Sequence, residues 1–373
     1  MSSKFIFTDF NKNILNISAT LEEFLNCPNS NGTLTILKEE LKKNYKTVVF
    51  IIFDGLGINP ININLKDDSF IKSNIKDILT SVFPSTTTNA TTTMLTNKYP
   101  MEHGWFAWSL YFDELKAAVN IFPGVNSHTN EPVDQMYKTK IIPTEPFYKY
   151  AHTDYAISKV APIYWSDGEN LNKYVASDID DYFSLTKEIC QKEGKQFIYL
   201  YCPEPDHMMH EYGVSSLESK ITINYLNLKL KELYESVEDT LFIVTADHGQ
   251  VDIDGYIELY KDEELLSLLE WPLFLEARAP AFRVKEGCND EFVRLFNEKY
   301  SEDFELFETK DLIDQKVFCL TNNLDKAYLL GDYIALAKTN KIMLLGELAN
   351  HHKGHHGSLT EEMLVPLILL SKK

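Results

Sequence analysis

Residues 47–55 read Thr-Val-Val-Phe-Ile-Ile-Phe-Asp-Gly. Seven apolar or β-branched residues in a row, with no polar alternation, predict a strand buried on both faces. The run stops at Asp54-Gly55, a turn signal. Two later runs repeat the pattern. QFIYLYC at 196–202 leads into Pro203-Glu204-Pro205-Asp206, and LFIVTA at 241–246 leads into Asp247-His248-Gly249. Helical stretches at 181–192 and 217–235 lie between them. Strands alternating with helices imply parallel pairing, hence an α/β fold with a doubly wound, mostly parallel sheet flanked by helices. Such sheets bind ligands beyond the carboxyl ends of their strands, and each of the three runs delivers an Asp there.

Outward from these strands, the 373 residues contain no repeat. A prior of roughly 100–200 residues per domain allows two domains or one large one with insertions. Residues 1–45 predict an extended piece at 4–8 and a helix around 19–25. The aromatic-rich segment 102–126 ends at Pro123-Gly124 and reads as irregular loops or a small cap. Residues 262–345 read as an inserted α+β sub-domain, with strands at 281–284 and 334–337 and a helix at 291–299. No linker is evident, so 1–373 is expected to form a single domain.

Charge narrows the partners. Lys and Arg total 36 against 55 Asp and Glu, a formal −19. A nucleic-acid grip or an anionic membrane needs clustered positive charge, so neither long nucleic acid nor membrane is expected as a partner. Arg occurs only at 278, 283 and 294, which leaves few places for a bidentate phosphate clamp. The five cysteines are scattered, with no C-x-x-C pair. The amino terminus lacks a signal-peptide pattern, and no apolar run approaches the roughly 20 residues that span a bilayer. A cytoplasmic protein is expected.

The chemistry-bearing residues cluster in four places. Asp206 and His210, in PDHMMHEYG, are one helical turn apart, and Pro205 suits a first helical position. Asp247 and His248 end a strand, and Asp54 ends another. The tract His351-His352-Lys353-Gly354-His355-His356-Gly357 precedes folded-looking sequence, which argues against a tag. Carboxylate and imidazole without thiolate is a donor set suited to Zn²⁺. Between the first two strands lies FPSTTTNATTTMLT at 83–96. A hydroxyl at that helix start is either a cap or a nucleophile beside the positive helix end, where phosphate oxyanions are favoured.

With these segments in view, the chain resembles the alkaline phosphatase superfamily, and within it the type I phosphodiesterase/nucleotide pyrophosphatase family. The matching pieces are VVFIIFDGLG, SVFPSTTTNATTTMLTNKYPMEHG, EPDHMMHEYG, FIVTADHGQ and KGHHGSLTEEMLVP, in order from about residue 47 to 370. The resemblance implies an alkaline phosphatase-like fold and two Zn²⁺, with Mn²⁺ as the alternative. Asp206, His210 and His356 would hold one ion, His356 being the ligand of a G-x-H-G motif. Asp54, Asp247 and His248 would hold the other, completed by the nucleophile. Counting back from Leu95-Thr96 and Tyr99-Pro100 places that nucleophile at Thr87, flanked by Thr86 and Thr88. Two departures stand out. Trp108 occupies the place of an Asn that binds a phosphate oxygen in the family, and Asn97 replaces a Gly at the helix end.

The implied function is hydrolysis of small phosphodiesters or nucleotide pyrophosphates through a covalent Thr intermediate. The alternatives on the same scaffold are a phosphomonoesterase, a phosphonate hydrolase or a metal-dependent phosphomutase; a non-catalytic metal-binding protein is the remaining reading. Two Zn²⁺ against the three carboxylates and a Thr87 alkoxide leave the centre neutral, and positive with Thr87 protonated, so metals rather than Lys and Arg would attract a small anionic phosphate ester. Trp105, Phe106, Trp108, Tyr111 and Phe112 read either as an aromatic wall or as core.

Overall fold

The structure, a computed structural model, describes residues 5–163, 172–347 and 351–373. Seven strands make the central sheet: β1 Thr47–Phe53, β2 Ile75–Thr80, β3 Ala156–Ala161, β4 Asn172–Val175, β5 Gln196–Cys202, β6 Thr240–Thr245 and β7 Leu364–Lys372. Their order is β2-β7-β6-β1-β5-β3-β4. The four pairings from β6 to β4 are parallel, and β7 runs antiparallel to both neighbours.

All seven residues of β1 are buried, as are those of β5 and β6. That burial explains why these strands read as unbroken apolar runs. Register then fixes the site. Phe53 pairs with Cys202, and Ile52 pairs with both Tyr201 and Thr245. The three chains therefore leave the sheet level with one another, and Asp54, Asp206 and Asp247 emerge along one edge. The helices Ile179–Cys190 and Leu217–Ser236 follow the expected stretches within two residues and pack on each other.

A second seven-stranded sheet is antiparallel throughout. It runs Phe304–Glu308, Tyr333–Ala337, Ala279–Phe282, Phe274–Glu276, Ser109–Phe112, Ala117–Asn120, Val125–Asn126. The segment at 102–126 therefore carries three strands where irregular loops or a small cap were expected. Their signal is weak because each has four residues or fewer and the sheet continues through a remote partner, Leu275 opposite Ser109. Residues 259–343 also contribute their own apolar cluster, in which Phe282, Phe292 and Phe296 pack together. The first helix runs Ile14–Phe24, longer than expected, because Asn13 and Asn16 form a capping box at its start.

Among the described residues, no helix is long and apolar enough to cross a membrane.

Candidate metal centre

Two groups of donors converge at the carboxyl edge of the central sheet. Asp54, Asp247 and His248 form one, and Asp206, His210 and His356 the other, each with ligand atoms within 4.8 Å of one another. Asp206 opens the helix Asp206–Tyr212; Pro205, expected as its first residue, is instead its cap, so the helix starts one position later than expected. His210 still falls one turn later, on the same face. Gly55, at φ +72°, lets the β1 end pass close to this helix: a Cβ there would lie 3.0 Å from that of Asp206.

Backbone carbonyls orient all three imidazoles. Nδ1 of His210 lies 2.8 Å from Gly354 O, Nδ1 of His356 3.1 Å from Ser85 O, and Nδ1 of His248 2.9 Å from Gly249 O. A carbonyl only accepts, so each Nδ1 carries a proton; the neutral His210 and His356 rings keep a lone pair on Nε2, and His248 gains one when a metal displaces its second proton. The Nε2 atoms of His210 and His356 then face each other at 3.1 Å, with Asp206 Oδ1 3.4 and 3.8 Å away. Lone pairs and a carboxylate repel at such distances unless a cation sits among them. In the other group, Asp247 Oδ1 accepts from the backbone N–H groups of Gly55 and His248, while its buried Oδ2 has no hydrogen-bond partner and lies 3.5 Å from His248 Nε2. Three carboxylates and three imidazoles fit a divalent metal pair, and the N/O chemistry suits zinc.

The electrostatics carry the same strain. Burial pushes Asp206 up to about 7 and, with Asp54 nearby, Asp247 up to about 8. Burial and Asp206 also raise Asp54. Burial alone would lower His248, but Asp247, Asp54 and Asp206 push it up to about 10. Burial and the neighbouring imidazoles depress His210 to about 3 and hold His356 far below its ordinary value. A divalent cation in each group would relieve these conflicts.

The three threonines at the helix Thr87–Thr96 differ in position. Thr87 Oγ1 lies 3.2 Å from His248 Nε2 and 3.4 Å from both Asp54 oxygens. Thr86 is the helix cap residue and its hydroxyl faces Glu276. Thr88 Oγ1 is buried without a partner. Asn97 ends this helix at φ +52°, a left-handed position that Asn tolerates, so the replaced Gly is accommodated. Of the five aromatics, Trp105, Phe106, Tyr111 and Phe112 are core, and only Trp108 is open, 42% exposed.

Three residues escaped sequence reasoning. Tyr201 donates its hydroxyl to Asp54, and Gln250 Nε2 donates to Asp206 Oδ1 at 2.8 Å. Tyr201 hid inside an apolar strand; Gln250, two residues past His248, could have been noticed. Glu276 accepts the Trp108 N–H at 2.7 Å and comes from the second sheet, with no local signal. His355, beside the chosen His356, holds its own Nδ1 against the His356 backbone N–H at 2.9 Å. Within reach of one another also lie His210, His352 and His355, and Glu276, His355 and His356.

A family model described as type I phosphodiesterase / nucleotide pyrophosphatase matches residues 48–359. No curated protein matches by sequence. Among solved structures, murine ectonucleotide pyrophosphatase / phosphodiesterase 5 superposes with a TM-score of 0.63 at 19% identity, over 87% of this chain and 88% of that one. An inactive threonine-to-alanine variant of the murine protein, in complex with AMP, gives 0.60 at 18%, over 87% of each chain. Phosphonoacetate hydrolase from Sinorhizobium meliloti 1021, in complex with phosphonoacetate, gives 0.62 at 14%, over 87% and 90%. At these identities the likeness is one of fold.

Proposed function

Because the chain belongs to the type I phosphodiesterase / nucleotide pyrophosphatase family of the alkaline phosphatase superfamily, and so is a hydrolase, we propose that it cleaves small phosphodiesters or nucleotide pyrophosphates with Thr87 as nucleophile. The observation that carries this reading is the place of the Thr87 hydroxyl, against both Asp54 and His248 at a helix start. Asp54, Asp247, His248 and Thr87 would hold one zinc, and Asp206, His210 and His356 the other. Bound there, the pair supplies Lewis-acid stabilisation of the attacking and leaving oxygens and lowers the pKa of the attacking hydroxyl.

The chain's own residues do the rest. Thr87 Oγ1 attacks phosphorus as its proton is lost, the ester oxygen of the leaving group departs and is protonated, and a phosphothreonine ester remains. Water then attacks phosphorus and releases Thr87. The first turn of the helix Thr87–Thr96 offers N–H groups without intrahelical acceptors, which favour the phosphate oxygens. Tyr201 and Gln250 hold Asp54 and Asp206 in place. The inactivity of the murine threonine-to-alanine variant supports the same role for a threonine here.

We also read residues 262–345 as a sub-domain inserted into a single domain. The five free cysteines fit the reducing cytoplasm. Zinc-loaded protein is expected to hydrolyse bis(p-nitrophenyl) phosphate faster than p-nitrophenyl phosphate, and Thr87→Ala to abolish turnover. Dominant monoester cleavage favours the phosphomonoesterase reading instead, and near-normal turnover by Thr87→Ala removes Thr87 from the mechanism.

A further inference from the structure

A cavity of about 360 Å³ opens from the metal centre and is lined on one side by Thr86, Thr87 and His356, and on the other by the second sheet. Cross-strand register places Leu275, Ser109 and Asn120 directly opposite one another, in one row on one sheet face. All three line the cavity, with Ser127 and His128 beyond them. Ser109 Oγ, Ser127 Oγ and His128 Nε2 are buried and have no hydrogen-bond partner. Such groups are costly to leave unpaired, and rotation about χ1 turns either serine hydroxyl without moving the backbone. Apart from Glu276, the rest of this wall includes the apolar Leu273, Ile342 and Leu344. Among the described residues, no Lys or Arg lines the cavity; of its two acidic residues, Asp206 belongs to the metal centre and Glu276 is held by the Trp108 N–H. Burial also lowers the pKa of His128, which keeps that ring neutral.

Resting on the proposed hydrolysis at Thr87, we infer that this cavity is a subsite for one esterifying arm of the substrate. It selects an uncharged arm that has an apolar body and hydrogen-bonding groups at its end, and it rejects an arm bearing a second anion. A second phosphate or a carboxylate would give up its hydration in a space where, among the described residues, no Lys or Arg lines the wall to pair with it.

Two methyl aryl phosphodiesters of equal size test this: methyl 4-(hydroxymethyl)phenyl phosphate and methyl 4-carboxyphenyl phosphate. Their methyl arm is too small to compete for the cavity, and their phenol leaving groups are similar. The zinc-loaded enzyme is expected to favour the hydroxymethyl ester in kcat/KM by about tenfold or more, since about 1.4 kcal/mol of uncompensated desolvation corresponds to a factor of ten. Asn120→Lys is expected to shrink that ratio at least about threefold, and Ser127→Lys, a second variant with an independent fold check by Tm, to act the same way. Dissociation constants for both esters, measured on zinc-loaded Thr87→Ala, read the subsite without turnover. Discrimination in binding without any turnover by the wild type upholds the subsite and overturns the hydrolase reading. Equal binding of the two esters, or a ratio unmoved by both lysine variants, overturns the subsite.

Discussion

Removing Arg278 while leaving Glu362 in place should destabilise the protein severely. Arg278 is 1% exposed and Glu362 fully buried, and Arg278 Nε donates to Glu362 Oε1 at 2.5 Å. The guanidinium also donates to the carbonyls of Thr339 and Lys341, at 2.9 and 3.1 Å. Glu362 Oε2 has no other partner. Arg278→Met therefore strands a buried carboxylate and two carbonyls. Breaking a buried pair on one side costs about 3–5 kcal/mol. At about 2 °C per kcal/mol for a chain of this size, Tm should fall by about 6–10 °C. Activity should fall with it, because the Glu362 carbonyl accepts the Gly249 N–H at 2.6 Å and Gly249 O orients His248. Calorimetry at saturating zinc reads the first effect and kcat/KM the second. Arg278→Met combined with Glu362→Gln should recover most of the loss, since no buried charge is left unpaired. A single variant within about 1 kcal/mol of wild type, or a double variant no better than the single, would refute the reasoning.

The other predictions concern the metal centre. His356→Ala should lose one of two bound metal equivalents by elemental analysis, whereas His355→Ala should keep both; two equivalents in His356→Ala would assign the wrong imidazole. Metal-free protein should lose stability as pH rises between about 6.5 and 8. Asp206, Asp247 and His248 all have raised folded values, so the native state binds more protons there and stability declines as they dissociate. The depressed imidazoles His210 and His356 act in the opposite sense, but only below their ordinary 6.5. Scanning calorimetry in chelator should record the decline, and saturating zinc should abolish it; a chelated protein whose Tm rises over that interval would contradict the charge assignment.

Three of the seven strands of the central sheet, β1, β5 and β6, were legible because a parallel strand covered on both faces leaves its composition in the chain, and β1 and β5 were readable to the residue. Asp54, Asp206 and Asp247 were legible for the same reason, since each follows a strand that announces its own end. The second sheet was legible only in part: the strands read at 281–284 and 334–337 are Ala279–Phe282 and Tyr333–Ala337, and the other five were not read. Its strands are short, and Ser109–Phe112 finds its neighbour at Leu275, so no local periodicity marks it. Glu276 and the Ser109–Asn120 row were invisible with it. The aromatics of 105–112 could be counted but not oriented; four of five turned inward, and the exposed Trp108 was distinguishable only once Glu276 fixed its backbone. Among Thr86, Thr87 and Thr88, spacing alone left a choice of neighbours, and the distances to Asp54 and His248 separate them.

The most direct test is to trap the covalent intermediate. Zinc-loaded enzyme turning over bis(p-nitrophenyl) phosphate is quenched in acid within milliseconds, digested, and the peptide containing residues 83–96 is fragmented by mass spectrometry. The account predicts a p-nitrophenyl phosphoryl adduct on Thr87. An adduct on Thr86 or Thr88, or steady turnover with no adduct on this peptide, would contradict it.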